Sequence, residues 1–144
     1  MVGQLLTQLT TPYDNILVIT RGGMVPACLI SEKTHIRNIL VAAVMFYEGE
    51  VRQSEPVFLQ FPQDNQIQNR RVLVVDDVWD TGTTVMAVRD RLIQGGATVA
   101  DIAVLHFKPK KSLYPPNIRP DFFAEETDAW IVYPWDPERE LQGG

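Results

Sequence analysis

Three acids and a cluster of threonine and glycine lie close together in residues 70–84, RRVLVVDDVWDTGTT. A run of aliphatic residues leads into Asp76, Asp77 and Asp80, and Thr-Gly-Thr-Thr follows at 81–84. Glycine and hydroxyl residues at a helix start typically bind phosphate, because free N–H groups and the helix dipole attract anions. Carboxylates repel a lone phosphate. The pattern therefore indicates a ligand that carries hydroxyl donors, a cation or a transferable proton beside its anionic end.

Several known phosphate and carboxylate motifs do not fit this stretch. Neither Gly-x4-Gly-Lys-Ser/Thr nor Gly-x-Gly-x-x-Gly occurs in the chain, which excludes a P-loop and a dinucleotide fingerprint. A response-regulator receiver places its acid pair near the N-terminus, whereas only 67 of the 144 residues follow Asp77 (144 − 77). The spacing of Asp77 and Asp80 does not match the Asp-x-Asp of haloacid-dehalogenase-type phosphatases.

The composition is that of one ordinary globular domain. The chain has 144 residues, of which 45% are hydrophobic and 22% charged. A net charge of −5 argues against a nucleic-acid-binding function, although it permits the binding of anionic metabolites. We find no apolar run long enough to span a membrane and no secretion leader, so we expect a cytoplasmic protein without a membrane partner.

Cys28 is the single cysteine, which excludes an internal disulfide and a multi-cysteine zinc site. We expect it to be a small buried hydrophobe on a helix. His35 and His106 show no ligand pairing, so we expect both to be structural or exposed.

Short aliphatic runs alternate with helical patterns along most of the chain. Strands are predicted at 16–20, 38–47, 72–75 and 98–107, with shorter final strands or extended pieces at 121–125 and 129–136. Helices are predicted at 24–34 and from about 84 to the Gly95-Gly96 pair, and a partial helix near Leu5. Residues 48–69 break this rhythm, and we interpret them as a long hairpin or lid.

This alternation predicts an α/β fold with a mostly parallel sheet of about five strands and helices on both faces. Ligands of such sheets bind at the carboxyl ends of the strands. The loops RGG (21–23), DDVWDTGTT (76–84) and KPKK (108–111) each follow a predicted strand. We therefore expect them to form one site.

The segment VLVVDDVWDTGTT resembles the signature of the type I phosphoribosyltransferases: four hydrophobic residues, two acids, two mostly apolar residues, then Asp or Ala and Thr-Gly-x-Thr. TRGGMVP (20–26) is similar to the pyrophosphate loop of that family. HFKPKK (106–111) and PDFFAEETDAWIVYPWD (120–136) resemble the base-binding end of its xanthine-guanine and hypoxanthine-guanine branch.

The resemblance implies a site for 5-phosphoribosyl 1-pyrophosphate with Mg²⁺ as cofactor. Its 5′-phosphate would bind the amides and hydroxyls of Thr81, Gly82, Thr83 and Thr84. Asp76 and Asp77 would accept hydrogen bonds from the ribose hydroxyls. Asp77 would also help to hold the metal through those hydroxyls or water, and Asp136 would approach a second Mg²⁺ through water.

The resemblance gives roles to three more positions at this edge. Asp80 would exchange a proton with N7 of the purine as a general acid/base, or it would cap the following helix. Arg21 and Gly22 would bind pyrophosphate, the alternative being a plain turn with a surface arginine.

At the base end, Lys108 would donate to the exocyclic oxygen of the purine. Trp130 would stack on the ring, unless it is an ordinary core aromatic, and the carbonyl of Ile131 would contact the base edge.

The implied protein is a homo-oligomeric purine phosphoribosyltransferase, a dimer or tetramer, with one domain at 1–144. The domain would include a flexible lid at about 48–69 and a C-terminal base-binding hood at about 108–136. Two alternatives remain open: transfer to another base, and a regulator that binds phosphoribosyl nucleotides without catalysis.

Overall fold

The structure, a computed structural model, describes residues 1–9, 11–47 and 55–135, and for Tyr47 the backbone alone. Two of the predictions, the start of the lid at 48–54 and the metal role of Asp136, lie outside these residues. The helices are α1 Val2–Leu6, α2 Met24–Thr34, α3 Asp64–Ile67 and α4 Thr83–Gln94. The strands are β1 Asn15–Ile19, β2 Ile39–Tyr47, β3 Glu55–Gln60, β4 Arg71–Trp79, β5 Val99–Phe107 and β6 Phe122–Glu126.

The strands of the described residues form one six-stranded sheet in the order β3-β2-β1-β4-β5-β6. All neighbouring pairs are parallel except β2 and β3, which are antiparallel. β1 is buried at every position, and β4 is buried from Val72 to Val75. Because both faces of these central strands are covered, their sequences are nearly continuous aliphatic runs. The predicted mostly parallel sheet is confirmed, with one strand more than expected.

Helices cover both faces of the sheet, as predicted. α4 buries Val85, Val88 and Leu92 in one hydrophobic cluster. On the other face α1 contributes Leu5, and α2 contributes Ala27 and Ile30. None of the helices within the described ranges is long and apolar enough to cross a bilayer.

The segment predicted as a hairpin or lid is, from residue 55 onward, part of the fold. β3 pairs with β2 as the second arm of a hairpin, and the side chain of Phe58 packs against the core cluster of α4. α3 follows, and Ile67 at its end is fully buried in the same cluster. Polar residues around these apolar positions obscured the pattern in the sequence. Whether the loop closes over a ligand stays a prediction.

One local prediction was wrong, and one left open between two alternatives is decided. Cys28 is on α2 as expected, but it is exposed, because α2 buries Pro26, Ala27 and Ile30 and Cys28 lies outside that stripe. Residues 129–135 form no strand. Tyr133 is nevertheless only 4% exposed, so this segment is anchored by a buried side chain instead of a strand ladder.

Candidate active site

Three loops meet at one edge of the sheet because β1, β4 and β5 are parallel neighbours. RGG follows β1, the three acids lie in and after the end of β4, and Lys108 follows β5. The Lys108 N–H donates to the Trp79 carbonyl at 3.0 Å, and the Leu113 N–H donates to the Thr81 carbonyl at 2.9 Å. These bonds join the loop after β5 to the loop after β4. The sequence-based expectation that the loops lie together agrees with this geometry.

A cavity of about 190 Å³ opens at the end of β4. It is lined by the acids and by the start of α4: Asp76, Asp77, Val78, Trp79, Asp80, Thr81, Gly82, Thr84 and Val85. Carboxylates and the N-terminal end of a helix therefore line the same space. That arrangement suits a ligand with hydroxyl groups next to a phosphate.

The turn into α4 depends on Gly82. Its φ is +87°, a left-handed conformation that glycine adopts without steric cost. A Cβ there would lie 2.4 Å from Nε1 of Trp79, so the turn also needs glycine for close packing on the indole. Trp79 is buried and donates from Nε1 to Oγ of Ser112 at 3.0 Å. Sequence reasoning gave Trp79 no role, but this side chain supports the loop.

The hydroxyls at the helix start lie close to each other. Thr81 Oγ1 is 2.9 Å from Thr83 Oγ1 and accepts a long bond of 3.4 Å from the Thr83 N–H. The residue that caps α4 is Gly82, and no side chain makes a capping hydrogen bond. The alternative role of Asp80 as a helix cap is therefore wrong.

Asp80 instead faces a cation. Its Oδ2 lies 3.9 Å from Nζ of Lys108, with the Asp80 side chain 39% exposed and the Lys108 side chain fully buried. A buried ammonium is stabilised by a nearby carboxylate because its own hydration has been lost. Thus Asp80 and Lys108, to which the family resemblance gives contacts with two atoms of one purine ring, are neighbours in space.

Asp77 is 5% exposed and lies against the RGG loop. A Cβ on Gly22 would lie 2.5 Å from Asp77 Oδ2 and 2.6 Å from its Cγ. Asp76 is less buried, and its Oδ1 accepts from the Asp77 N–H at 2.9 Å. The two acids are thus fixed relative to each other and to the loop that follows β1.

The RGG loop itself is packed closely on β4. A Cβ on Gly23 would lie 2.3 Å from the Val75 carbonyl oxygen, and the Gly23 N–H donates to the Ile19 carbonyl at 2.9 Å. Arg21 is exposed beside the acids, and the peptide bond between Thr20 and Arg21 is cis. A guanidinium at this position is available to a phosphate ligand.

The base end is less enclosed than the acid end. Lys108 Nζ lies 5.7 Å from the ring centroid of Trp130. Trp130 is 45% exposed, so it is not the core aromatic of the alternative interpretation. Ile131 is partly buried against the cluster formed by α1 and α2. Their roles in base binding stay predictions.

His106 is a site neighbour that sequence reasoning missed. It is 7% exposed, its Nδ1 lies 2.7 Å from the Tyr133 hydroxyl, and its Nε2 lies 3.6 Å from Glu125 Oε2. Burial lowers the pKa of the imidazole below its usual value, against an opposing effect of the carboxylates of Glu125 and Asp77. The only sequence signal was its position at the end of a buried strand, two residues before Lys108.

Within the ranges described, no group of three or more His, Cys, Asp or Glu side chains forms a cage for a metal ion. Any cation at this edge must therefore take part of its coordination from a ligand or water. Mg²⁺ commonly binds in that way, through one or two carboxylates and substrate phosphates.

The fold and the site together define an α/β domain in which an acid pair and a helix N-terminus line one cavity. The family model for the phosphoribosyl transferase domain matches residues 4–140, which is almost the whole chain. The chain belongs to this family.

Three proteins named as purine or xanthine-guanine phosphoribosyltransferases align with most of the chain. A xanthine-guanine phosphoribosyltransferase of Gluconobacter oxydans is 32% identical over 134 residues, which are 91% of this chain and 73% of the relative. One from Idiomarina loihiensis is 32% identical over 127 residues, 86% of this chain and 71% of the relative. The crystal structure of a purine phosphoribosyltransferase from Pyrococcus horikoshii has a TM-score of 0.80 at 33% identity, covering 93% of this chain and 85% of that one.

Gly22→Ala tests the contact between the RGG loop and Asp77. The new methyl group overlaps the Asp77 carboxylate, so that side chain must move. Losing one hydrogen bond to a charged group costs about 1.5–3 kcal/mol, so we expect affinity for phosphoribosyl pyrophosphate to fall about 10- to 100-fold by calorimetry.

Gly3→Ala is the matched control, because a Cβ at Gly3 on α1 meets nothing within 4 Å. Its affinity should equal that of the wild type. An unchanged affinity of Gly22→Ala would show that the ligand does not depend on the position of Asp77.

Proposed function

We propose that this protein is a purine phosphoribosyltransferase that joins a 6-oxopurine to the ribose of 5-phosphoribosyl 1-pyrophosphate, giving the nucleoside monophosphate and pyrophosphate. One observation carries the proposal: Lys108, fully buried, lies beside Asp80 at the same sheet edge as the acid pair and the phosphate loop. Relatives that share about a third of the residues are named for xanthine-guanine and purine transfer.

In this proposal the substrate binds the cavity at the end of β4 in one orientation. The 5′-phosphate binds at the start of α4, where N–H groups and the hydroxyls of Thr81 and Thr83 are available. The ribose hydroxyls donate to Asp76 and Asp77. Arg21 then lies on the side of the pyrophosphate, for which its guanidinium offers several donors in a fixed plane.

The chemistry requires stabilisation of a departing anion and removal of a proton. When the bond from C1′ to pyrophosphate breaks, the ribose becomes oxocarbenium-like and negative charge develops on the leaving group, which Arg21 stabilises. N9 of the purine forms the new bond to C1′, and Asp80 accepts the proton from N7. Lys108 donates to O6, so Asp80 and Lys108 contact the same ring.

Magnesium is part of this proposal. The acids at the cavity supply only oxygen atoms, which are the ligands that Mg²⁺ prefers, and a cation there offsets their mutual repulsion. Asp76 and Asp77 would hold it together with substrate oxygens and water, and it would supply neutralisation of the pyrophosphate charge. Asp136 as a contact to a second ion stays a prediction.

Two other functions make different use of the same site. A transferase for another base would keep the acids, the phosphate loop and Arg21 but would not need Lys108. A non-catalytic regulator would need neither Lys108 nor Asp80. The proximity of these two side chains favours catalysis on a 6-oxopurine. The cytoplasmic location and assembly as a dimer or tetramer, expected from the sequence, stay predictions.

Base selectivity tests the function. A lysine ammonium has only donors, so it pairs with O6 of guanine, hypoxanthine or xanthine and not with the amino group of adenine. An unsatisfied buried group costs about 1–3 kcal/mol, and more when it is charged like the lysine ammonium, so pyrophosphate release should show a kcat/KM at least about 10-fold lower with adenine than with the 6-oxopurines. Uracil and orotate, tested in the same assay, should give no product.

Lys108→Met keeps the length of the side chain and removes its donors. It should reduce the ratio of 6-oxopurine to adenine, mainly by slowing the 6-oxopurines, whereas Lys110→Met, at an exposed lysine two residues away, should leave the ratio unchanged. Equal use of adenine and guanine by the wild type, or an unchanged ratio in Lys108→Met, would contradict the proposal that Lys108 selects 6-oxopurines.

Asp80→Asn tests the proton transfer. Asp80 caps no helix, but its carboxylate faces the buried ammonium of Lys108. We therefore expect this change to lower the stability of the fold as well as to remove the proton acceptor, and circular dichroism checks that the variant is folded. General acid–base catalysis typically contributes 10²- to 10⁴-fold, so we expect kcat to fall by about that factor. Asp90→Asn, at an exposed acid of α4, is the control. A kcat near that of the wild type would remove Asp80 from the mechanism.

A further inference from the structure

A chain of polar contacts runs behind the acid pair, from β6 to the main chain of β4. Nε2 of His106 lies 3.6 Å from Glu125 Oε2, and Nδ1 lies 2.7 Å from the Tyr133 hydroxyl. The same hydroxyl donates to the Asp77 carbonyl oxygen at 3.3 Å. His106 and Tyr133 are 7% and 4% exposed, so these two members of the chain are shielded from water, whereas the Glu125 side chain is 62% exposed.

The proton positions of the three groups are linked, because the direction of the bond between His106 and Tyr133 depends on the tautomer of the imidazole. A carbonyl oxygen only accepts, so the proton between Tyr133 and Asp77 must come from the tyrosine hydroxyl. That hydroxyl has one proton, so it can donate to Asp77 while it contacts His106 only when the imidazole carries a proton on Nδ1. If Nδ1 were unprotonated, the tyrosine proton would be drawn to the imidazole and the bond to Asp77 would be lost.

Asp77 is constrained from more than one direction. Its N–H donates to Asp76 Oδ1, and its carboxylate lies against the backbone of Gly22. The hydroxyl of Tyr133 donates to the carbonyl oxygen of Asp77. The peptide group that contains this carbonyl joins the acid pair to the residues that lead into the phosphate loop. A shift of this peptide group would therefore change the orientation of the Asp76 and Asp77 carboxylates that line the cavity.

We propose that Tyr133 and His106 are positioning residues for phosphoribosyl pyrophosphate, which orient the ribose-binding acids through the main chain of Asp77. The inference rests on the proposed function for the identity of the ligand. Neither side chain touches the substrate in this account. Both act through Asp77. Because Tyr133 lies in the segment after Trp130, this segment also helps to position the residues that bind ribose.

Tyr133→Phe isolates the hydroxyl. The ring of Tyr133 stacks on Trp135 with a centroid distance of 4.9 Å and an interplanar angle of 14°, and phenylalanine keeps this packing. Losing one hydrogen bond should raise the KM for phosphoribosyl pyrophosphate about 5- to 20-fold, while the KM for the purine stays within about twofold.

Tyr13→Phe is the matched control. Tyr13 is also buried, and its hydroxyl donates to Asp101 Oδ2 at 2.5 Å, but it precedes β1, at the opposite end of the sheet. It should lose stability to denaturant without a change in either KM. An unchanged KM for phosphoribosyl pyrophosphate in Tyr133→Phe, or an equal rise in Tyr13→Phe, would overturn the proposal.

His106 provides a second test. His106→Asn retains a donor near the position of Nδ1, whereas His106→Leu does not, so the asparagine variant should have the smaller rise in KM. Equal rises would contradict donation from Nδ1.

The proton position is measured independently of activity by ¹⁵N NMR of the imidazole. The chain has two histidines, so His35→Gln assigns the signals. Nδ1 of His106 should carry a proton, and a ring protonated at Nε2 alone would contradict the proposal. If the wild type makes no nucleotide from any purine, the proposed function fails, and the proposal on Tyr133 is then decided by calorimetric affinity for phosphoribosyl pyrophosphate with Mg²⁺ in the wild type and in Tyr133→Phe. Equal affinities, or no binding to the wild type, would overturn it.

Discussion

The site depends on the close approach of two neighbouring parallel strands at their carboxyl ends. The loop after β1 lies against β4, and this is possible only because residues 22 and 23 have no side chains. A Cβ at either position would overlap the Asp77 carboxylate or the backbone of Val75. This close approach places the RGG loop beside the acid pair, so one ligand can contact both. A ligand with phosphates at two ends and hydroxyls between them matches this order of charges.

Electrostatics explain why the acids and the lysine occur together. Lys108 is buried, and an ammonium without water is costly unless carboxylates are near. The acids alone would repel each other and the phosphates of the ligand. Asp80 and the N-terminal end of α4 line one cavity, and Lys108 lies 3.9 Å from Asp80, so opposite charges are close together at this edge of the sheet. The negative charge of the whole chain is therefore compatible with a local site for an anionic ligand.

The sequence predicted the elements that follow simple periodicity. β1, β4 and α4 were evident from aliphatic runs and from the glycines that end the helix, and the three loops at one edge follow from a parallel sheet. The contribution of Lys108 came from resemblance to a family, since a lysine after a strand has no signature of its own.

Other features depend on contacts between distant residues. Tyr133 and His106 are 27 residues apart, and nothing in either neighbourhood indicates the other. Trp79 contacts Gly82 because the chain turns back at the start of α4, and this contact has no signal in the sequence. The burial of Cys28 was predicted wrongly because the sheet beneath α2 determines which residues of the helix are buried. β3 was not recognised because polar residues surround its apolar positions.

Binding of phosphoribosyl pyrophosphate to a variant with both Asp76→Asn and Asp77→Asn tests the central claim most directly. The measurement is calorimetry with and without Mg²⁺, beside circular dichroism to verify the fold. Asparagine keeps the size of each side chain and removes the charge that favours hydroxyl donors and the cation. The account predicts a folded variant that has lost Mg²⁺-dependent binding. Affinity equal to that of the wild type, with the same dependence on Mg²⁺, would contradict it.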